Sequence, residues 1–308
     1  MNALIGTRLY HLRTDRGMSQ AAVASILGLK DRQSVQAMES GARAVKAEEL
    51  LKLSEFFGVP MDFFADPFQL VQKADFFCRC HETVDESELS AFRDTFRAWI
   101  GAFRALALDT GTLPALLGRI GIDMRSSFEE ADSVATRLAR QRNSGQALVL
   151  SEIVENEFST VVIMTNRDTR ISSVACRTPD MYAVVLNAAL PPDELDRELV
   201  HGLFRLLTWD SLPPSANTVS SGRRQEKAER LAARFSETFL GELRKAGALD
   251  NSVPFRPRLF SKRFLAPFAA AIADGKVSVR KAAGALGVTI DELKAMLASH
   301  GLEAAFDL

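Results

Sequence analysis

The sequence predicts an α+β protein that is mainly helical and contains a small β-sheet. Two observations carry this prediction. Apolar residues recur at helical spacing through most of the chain, and three short runs rich in β-branched residues follow one another in its middle. Turn-forming residues such as Asn166-Arg167-Asp168 separate these runs. With 308 residues the chain is long for one compact domain, and we expect two or three.

Composition and charge are those of an ordinary globular protein. Hydrophobic residues make up 47% of the sequence and charged residues 25%, so the chain is able to bury a core. The net charge of −1 supplies no overall basic field that would attract nucleic acid, and charge must be considered segment by segment. Three cysteines, an odd number, argue against a disulfide framework and fit a reducing compartment.

No part of the sequence is expected to enter a membrane. No apolar run reaches the roughly 18 residues that a spanning helix needs. The first residues also lack the basic segment and the long apolar run of a secretory signal. We therefore expect a cytoplasmic protein without a membrane partner.

Breaks in the apolar pattern predict three parts of the chain. Asp66-Pro67 ends a first domain of residues 1–66, and the proline-containing stretch at residues 254–257 precedes a final helical segment. The expected divisions are therefore residues 1–66, 67–253 and 254–308.

Five short helices are expected in the first domain. Each carries apolar residues at helical spacing and ends at a glycine or a proline, and Ser19 is placed to cap the second helix. The helices are expected at residues 3–16, from Ser19 to Gly28, around Val35 and Met38 as far as Gly41, from Ala47 to Phe57, and from Pro60 to Phe64.

A tight turn between the second and third helices is typical of a helix-turn-helix domain. Ser19-Gln20 opens the second helix, Gly28 makes the turn, and the stretch from Glu39 to Arg43 closes the third helix. These residues resemble the Xre/Cro family of DNA-binding regulators over the whole of residues 1–66. The turn at residues 29–32 is one residue longer than the commonest spacing in that family.

The third helix supplies the expected contacts with DNA bases. Gln33, Ser34 and Gln36 lie on its outer face, and a glutamine is able to pair with an adenine edge. Arginines that flank the helix would neutralise phosphates. The resemblance also implies that Arg13 pairs with Glu39 and braces the helix. The predicted DNA-binding residues are Ser19, Gln20, Arg32, Gln33, Ser34, Gln36 and Arg43.

Local charge supports an approach to DNA. Residues 1–46 contain seven basic and three acidic side chains, a net charge of +4 inside an almost neutral chain. The alternative is a helical interaction module that has lost DNA binding, in which the glutamines are simply solvated.

Three strands and the helices around them define the second part. The strands are expected at Thr160–Thr165, Ile171–Cys176 and Tyr182–Asn187. Amphipathic helices are expected at residues 128–142, 193–208 and 224–245, with a loop at residues 211–222. This order resembles the ImmA/IrrE metallopeptidase family. In that family one helix bears the zinc motif His-Glu-x-x-His and a later helix supplies the third ligand.

The zinc motif is degenerate in this sequence. His201 matches the first ligand, but Gly202 stands at the place of the catalytic glutamate and Arg205 at that of the second histidine. Glu229 matches the third ligand. Because a guanidinium does not ligate zinc, we expect no metal, no cofactor and no catalytic residue here. We hypothesise that Arg205 occupies the metal position and pairs with Glu229; alternatively, both side chains are simply solvated.

The resulting hypothesis is a binding protein. We expect a dimeric repressor that binds a double-stranded DNA operator, with a peptidase-like domain that senses a protein or small-molecule effector or mediates dimerisation. One rival is a zinc metallopeptidase tethered to DNA, which Gly202 and Arg205 disfavour. Another is an antitoxin-like autoregulator of a toxin operon, which one chain does not test.

Three weaker signals remain. Cys78, Cys80 and His81 lack a second pair at zinc spacing, so cysteines in a β-like stretch are the preferred interpretation. The aromatic stripe from Phe92 to Phe103 is typical of a core or dimer surface. The final segment also resembles a second helix-turn-helix that carries Lys276, Arg280 and Lys281. Packing against the central domain is the preferred role, and contact with DNA is the alternative.

Overall fold

The computed structural model describes residues 2–65, 68, 74–80, 84–109, 111–113, 118–141, 147–165, 170–212, 223–250 and 259–302. Two compact units divide the chain. The first unit contains residues 1–73 and 97–105, and the second contains residues 74–96 and 106–308. The expected breaks at Asp66-Pro67 and residues 254–257, His81, the turn at residues 166–168 and residues 213–222 of the expected loop lie outside the described residues.

Five short helices form the amino-terminal part of the first unit. They are α1 (Asn2–Asp15), α2 (Gln20–Leu27), α3 (Arg32–Glu39), α4 (Ala47–Phe57) and α5 (Asp62–Ala65). All five are predicted from the sequence, and the capping role of Ser19 is confirmed, since its hydroxyl accepts a hydrogen bond from Ala22 N at 3.1 Å. Residues from α1 to α5, including Leu9, Val35 and Phe64, bury a common core.

A four-stranded sheet lies at the centre of the second unit. Its strands are β1 (Asp75–Cys80), β2 (Thr160–Thr165), β3 (Ile171–Arg177) and β4 (Tyr182–Asn187), in the order β1-β3-β4-β2. Strands β2 and β4 run parallel, and the other pairs are antiparallel. Three strands are predicted from the sequence, and the structure adds β1 at the edge. The predicted fold class, mainly helical with a small sheet, is therefore confirmed.

Eight further described helices belong to this second unit, α6 only in part. They are α6 (Glu86–Asp109), α7 (Phe128–Arg140), α8 (Leu150–Phe158), α9 (Pro192–Leu207), α10 (Arg223–Lys245), α11 (Lys262–Ala273) and α12 (Val279–Leu286), and α13 (Ile290–Ser299) follows. Helix α9 packs on β3 and β4, and α10 packs on α7 and α9. Helix α8 is absent from the sequence prediction. No described helix is long and apolar enough to cross a membrane.

The final three helices are connected to the edge of the sheet. Leu259 O accepts a hydrogen bond from Met164 N of β2 at 2.9 Å, and Phe260 forms an antiparallel bridge with Ile163. Buried Glu155 of α8 adds a polar contact, because its Oε1 accepts from Ser261 Oγ at 2.5 Å. Ser261 also caps α11. The start of the final helical segment is thus attached to β2 and α8.

Candidate nucleic-acid interface and the polar cluster of the second unit

Helix α3 presents a polar face to solvent. Val35 and Met38 are fully buried, whereas Gln33 and Gln36 on the opposite side are exposed. Asp31 caps the helix by accepting from Ser34 N at 2.9 Å. Within the described part of the chain, neither glutamine side chain has a hydrogen-bond partner. Both therefore keep the amide oxygen and amide nitrogen that bidentate recognition of adenine requires.

Glu39 fixes the carboxyl end of α3. Arg13 of α1 donates from Nε to Glu39 Oε1 at 2.5 Å and from Nη2 to Oε2 at 3.1 Å, and this bond raises the pKa of Arg13. Gln20 of α2 donates from Nε2 to Glu39 Oε2 at 2.8 Å. Gln20, predicted at a phosphate or neighbouring base, is thus also part of the contact that joins α1, α2 and α3.

The flanking cations differ in their surroundings. Arg32 is exposed at the first residue of α3. Arg43 donates to both carboxylate oxygens of Glu49, at 2.7 and 3.2 Å, and Glu49 Oε2 also accepts from Lys46 N at the start of α4. Burial would raise the pKa of Glu49, but these hydrogen bonds outweigh burial and lower it. Arg43 therefore has a partner within the first unit, while Arg32 faces solvent.

Gly6 allows α1 to approach the end of α3, and the sequence analysis gives it no role. A Cβ atom at this position would contact Met38 O and lie 2.7 Å from Glu39 O. Because both atoms belong to the backbone of α3, they cannot move aside as a side chain would. A glycine inside a predicted helix was the available signal, since it costs helix stability and indicates a close approach.

The second unit contains a buried polar cluster between α9 and α10. His201 and Arg205 lie one turn apart on α9, and both contact Glu229 of α10: His201 Nε2 lies 3.1 Å from Glu229 Oε2, and Arg205 Nη2 donates to Oε1. Arg205 is 1% exposed, and its guanidinium stacks over Phe77 of β1 at 4.9 Å. The geometry thus brings together three residues of the degenerate motif.

Two further residues, not predicted from the sequence, extend the cluster to the sheet. Arg79 of β1 donates from Nη1 to Glu198 Oε1 at 2.8 Å, and its Nε lies 3.8 Å from Glu229 Oε2. Glu198 Oε2 also accepts from Ser173 Oγ of β3 at 2.6 Å. The cluster therefore joins positive and negative side chains from β1, α9 and α10 with a neutral hydroxyl group from β3.

The electrostatics of this cluster favour a charged Glu229 and a neutral His201. Burial would raise the pKa of Glu229, but its close contact with His201 and the charges of Arg205 and Arg79 lower it to about 2. Burial lowers the pKa of His201, and Glu229 only partly opposes this effect. Arg205 remains charged at neutral pH, because a guanidinium does not lose its proton in proteins.

Gly202 faces the sheet and not the polar cluster. A Cβ atom at this position would lie 2.8 Å from Val184 Cγ1 of β4. Any larger side chain at this position, a glutamate included, would meet β4 first. The side of α9 that carries Gly202 is therefore occupied by helix–sheet packing.

A zinc ion does not fit the residues present. Of the three residues of the degenerate motif, only His201 and Glu229 offer ligand atoms, and the cation of Arg205 is already in contact with the carboxylate of Glu229. Among the described residues, no three His, Cys, Asp or Glu side chains form a group suited to a metal. The chemistry of this cluster is therefore that of an internal ion-pair network.

A cavity of about 270 Å³ opens beside the cluster. His201 and Arg79 line it together with Glu198, Arg197 of α9 and Ala233 of α10. Ala233 contributes only a methyl group to the wall of the cavity. The cavity is large enough for a small polar molecule and mixes cationic with anionic side chains.

The three cysteines lie within strands. Cys78 and Cys80 belong to β1 and Cys176 to β3, and all three are free thiols. Burial raises the pKa of Cys78, and a hydrogen bond with Arg93 opposes it only in part. The β-like stretch predicted for these residues is confirmed, and a raised pKa makes Cys78 a poor thiolate.

Comparison with known proteins agrees with the geometry of the first unit. A helix-turn-helix family model matches residues 9–64, which include α2, α3 and α4 whole. No curated protein and no solved structure matches the chain. The family match covers a small part of the chain and supports a DNA-binding role in transcriptional regulation.

Proposed function

We propose that the chain is a sequence-specific transcriptional regulator that reads double-stranded DNA with α3. The observation that carries this proposal is the exposure of Gln33 and Gln36 on a capped helix whose opposite face is buried. A helix of this kind enters the major groove, and each glutamine amide pairs with an adenine edge. Exposed Arg32 lies at the start of the same helix, where a phosphate would complete its hydrogen bonds.

The support for α3 is rigid enough for base recognition. Glu39 accepts from Arg13 and Gln20, and Gly6 lets α1 contact the last turn of α3. A recognition helix held by two neighbouring helices loses little further entropy when it binds. A small entropic cost of binding favours recognition of a specific DNA sequence.

We further propose that the protein binds as a homodimer and represses transcription. One eight-residue helix contacts only a few base pairs, so two copies on half-sites about one helical turn apart would supply adequate specificity. Sedimentation of the full chain with and without operator tests this point. A complex that contains one chain per operator would overturn the dimer.

Binding-site selection from random duplexes is the primary test of DNA recognition. We expect the full chain to enrich a two-part sequence, and the Gln33→Ala/Gln36→Ala variant to lose that enrichment. The Gln141→Ala variant, which removes an exposed glutamine of the second unit, is the matched control and should behave as the wild type. Enrichment of the same sequence by the double variant would refute reading by α3.

We infer that the second unit is a non-catalytic domain related to the ImmA/IrrE peptidases, which senses an effector or mediates dimerisation. Two contacts support this inference. Arg205 contacts Glu229, and under this proposal its charge would take the place of zinc; Gly202 packs on Val184, which leaves little room for the side chain of a general base. The cavity beside His201 offers room for an effector.

Zinc titration distinguishes this inference from a metallopeptidase. We expect the full chain to bind no stoichiometric zinc in calorimetry, and the Glu229→Ala variant to behave in the same way. The Glu55→Ala variant removes an exposed carboxylate of the first unit and serves as the control. About one zinc per chain in the wild type, lost only in Glu229→Ala, would establish a metal site and revive the enzyme hypothesis.

A further inference from the structure

We propose that α11, α12 and α13 form a second helix-turn-helix, which contacts the phosphate backbone of duplex DNA through Arg280 and Lys281. The caps of α12 match those of α2. Both helices have eight residues and a serine N-cap, Ser19 or Ser278, whose hydroxyl accepts from the third helical residue. Both end at a left-handed glycine, Gly28 with φ 71° and Gly287 with φ 68°.

The buried positions of the two helices also coincide. The fourth, fifth and eighth residues after the N-cap are buried in each case, and they are Val23, Ala24 and Leu27 in α2, and Ala282, Ala283 and Leu286 in α12. The next helix follows after a short turn, capped by Asp31 in α3 and, one residue earlier, by Thr289 in α13. Helix α11 packs against both α12 and α13, as a third helix does in such units.

Charge indicates which part of this unit faces DNA. Arg280 and Lys281 are exposed in the first turn of α12, and Lys276 is exposed just before it. The first helix of a helix-turn-helix crosses the sugar–phosphate backbone, so these cations have the sign and the place of phosphate contacts. No large exposed apolar side chain of the described chain lies in residues 259–302, so a protein partner would find no apolar anchor there.

Helix α13 is not suited to base reading. It carries Asp291 and Glu292 at the positions where α3 carries Gln33 and Ser34. Glu292 is committed to the cap, since its Oε2 accepts from Thr289 N at 2.7 Å, and Asp291 is exposed. A carboxylate repels the phosphates that border the groove. The second helix-turn-helix would therefore add affinity and salt dependence without adding sequence specificity.

A salt series with the full chain tests this inference, which rests on the proposed DNA-binding function. The probe is a short duplex of arbitrary sequence, between about 50 and 200 mM salt. The slope of log K against log salt is negative, and each lost phosphate contact reduces its magnitude by about 0.9. The Arg280→Ala/Lys281→Ala variant should therefore reduce the magnitude by about 1.8. The matched control, Arg125→Ala/Arg137→Ala, removes two exposed arginines near α7 and should leave the slope unchanged.

The outcomes separate this inference from the proposed function. A salt slope of smaller magnitude for Arg280→Ala/Lys281→Ala supports a DNA contact by α12, provided that the charge-preserving Arg280→Lys/Lys281→Arg variant keeps the slope of the wild type. An unchanged slope for the α12 variant, or an equal change in the control, overturns it even if the protein recognises an operator. A wild type that binds all duplexes alike, with a slope that still depends on Arg280 and Lys281, would refute sequence recognition and leave the second contact standing.

Discussion

Gly202 of α9 lies so close to Val184 of β4 that a Cβ atom on the glycine would come within 2.8 Å of Val184 Cγ1. The contact lets α9 sit against the sheet and turns His201 and Arg205 towards α10. Gly202 is thus part of the interface between α9 and the sheet, and a side chain at this position would change its packing.

The Gly202→Ala variant should be destabilised by about 1–2 kcal/mol, because overpacking against a branched side chain outweighs the gain in helix propensity. Denaturant unfolding measures the change. The control is Gly241→Ala on α10, where a Cβ atom meets nothing within 4 Å, and a gain of up to about 1 kcal/mol is expected. Equal effects at the two glycines would contradict the packing argument.

The Gly6→Ala variant should disturb the first unit more severely. Its Cβ atom would meet the backbone carbonyls of Met38 and Glu39, so α1 and α3 must separate, at a cost of about 2 kcal/mol or more. We expect operator binding to weaken together with the thermal stability of this unit. Gly284→Ala in α12, where a Cβ atom meets open space, is the matched control, and a loss there of similar size would count against this account.

The Arg205→Met variant removes one partner of a buried ion pair. Glu229 keeps its charge next to His201 and Arg79 alone, and the expected loss is about 3–5 kcal/mol. Arg234→Met breaks the exposed pair with Asp132, which solvent screens, and should cost much less. Chemical denaturation compares the two variants, and similar losses would show that the buried pair contributes no more than a surface pair.

Glu155 should make the protein less stable at alkaline pH. Burial raises its pKa from 4.5 to about 7, and hydrogen bonds from Ser261 and Val162 N offset this only in part. The folded state therefore holds a proton that the unfolded chain releases above pH 4.5. The resulting stability is complete below pH 4.5 and is lost as the pH rises through 7.

The Glu155→Gln variant keeps an acceptor and cannot ionise. We expect it to match the wild type at acid pH and to exceed it at about pH 8 by up to about 3 kcal/mol. Melting temperatures across the pH range provide the measurement, with Glu157→Gln as a control for general charge effects. A parallel pH dependence in wild type and Glu155→Gln would refute the titration of this group.

Local signals explain why most of the fold is predictable from the sequence. Ser19, Gly28 and Asp31 cap or end their helices through contacts within three to five residues, and short-range chemistry of this kind is readable in a chain. Helix α8 is missed because it is short and carries a glutamate, Glu155, at a buried position. Strand β1 is predicted only as a β-like stretch without bounds, because most of its residues at the sheet edge are only partly buried.

The site shows the same division between local and distant causes. The contact of Arg205 with Glu229 can be hypothesised, because the resemblance to a zinc motif implies that both positions face the same place. Arg79 cannot be foreseen, since it lies 119 residues from Glu198 and joins the cluster only through the pairing of β1 with β3. The close approach at Gly6 likewise depends on the crossing of two helices.

The measurement that tests the central claim most directly is the ratio of operator affinity to random-duplex affinity at one salt concentration. We expect the Gln33→Ala/Gln36→Ala variant to lose at least about tenfold in this ratio while its random-duplex affinity stays unchanged, because each bidentate base contact contributes about 1–3 kcal/mol of discrimination. Because both glutamine side chains are exposed, their removal should leave the fold intact, and circular dichroism checks this. An unchanged ratio in a folded variant would contradict the assignment of α3 as the reading helix.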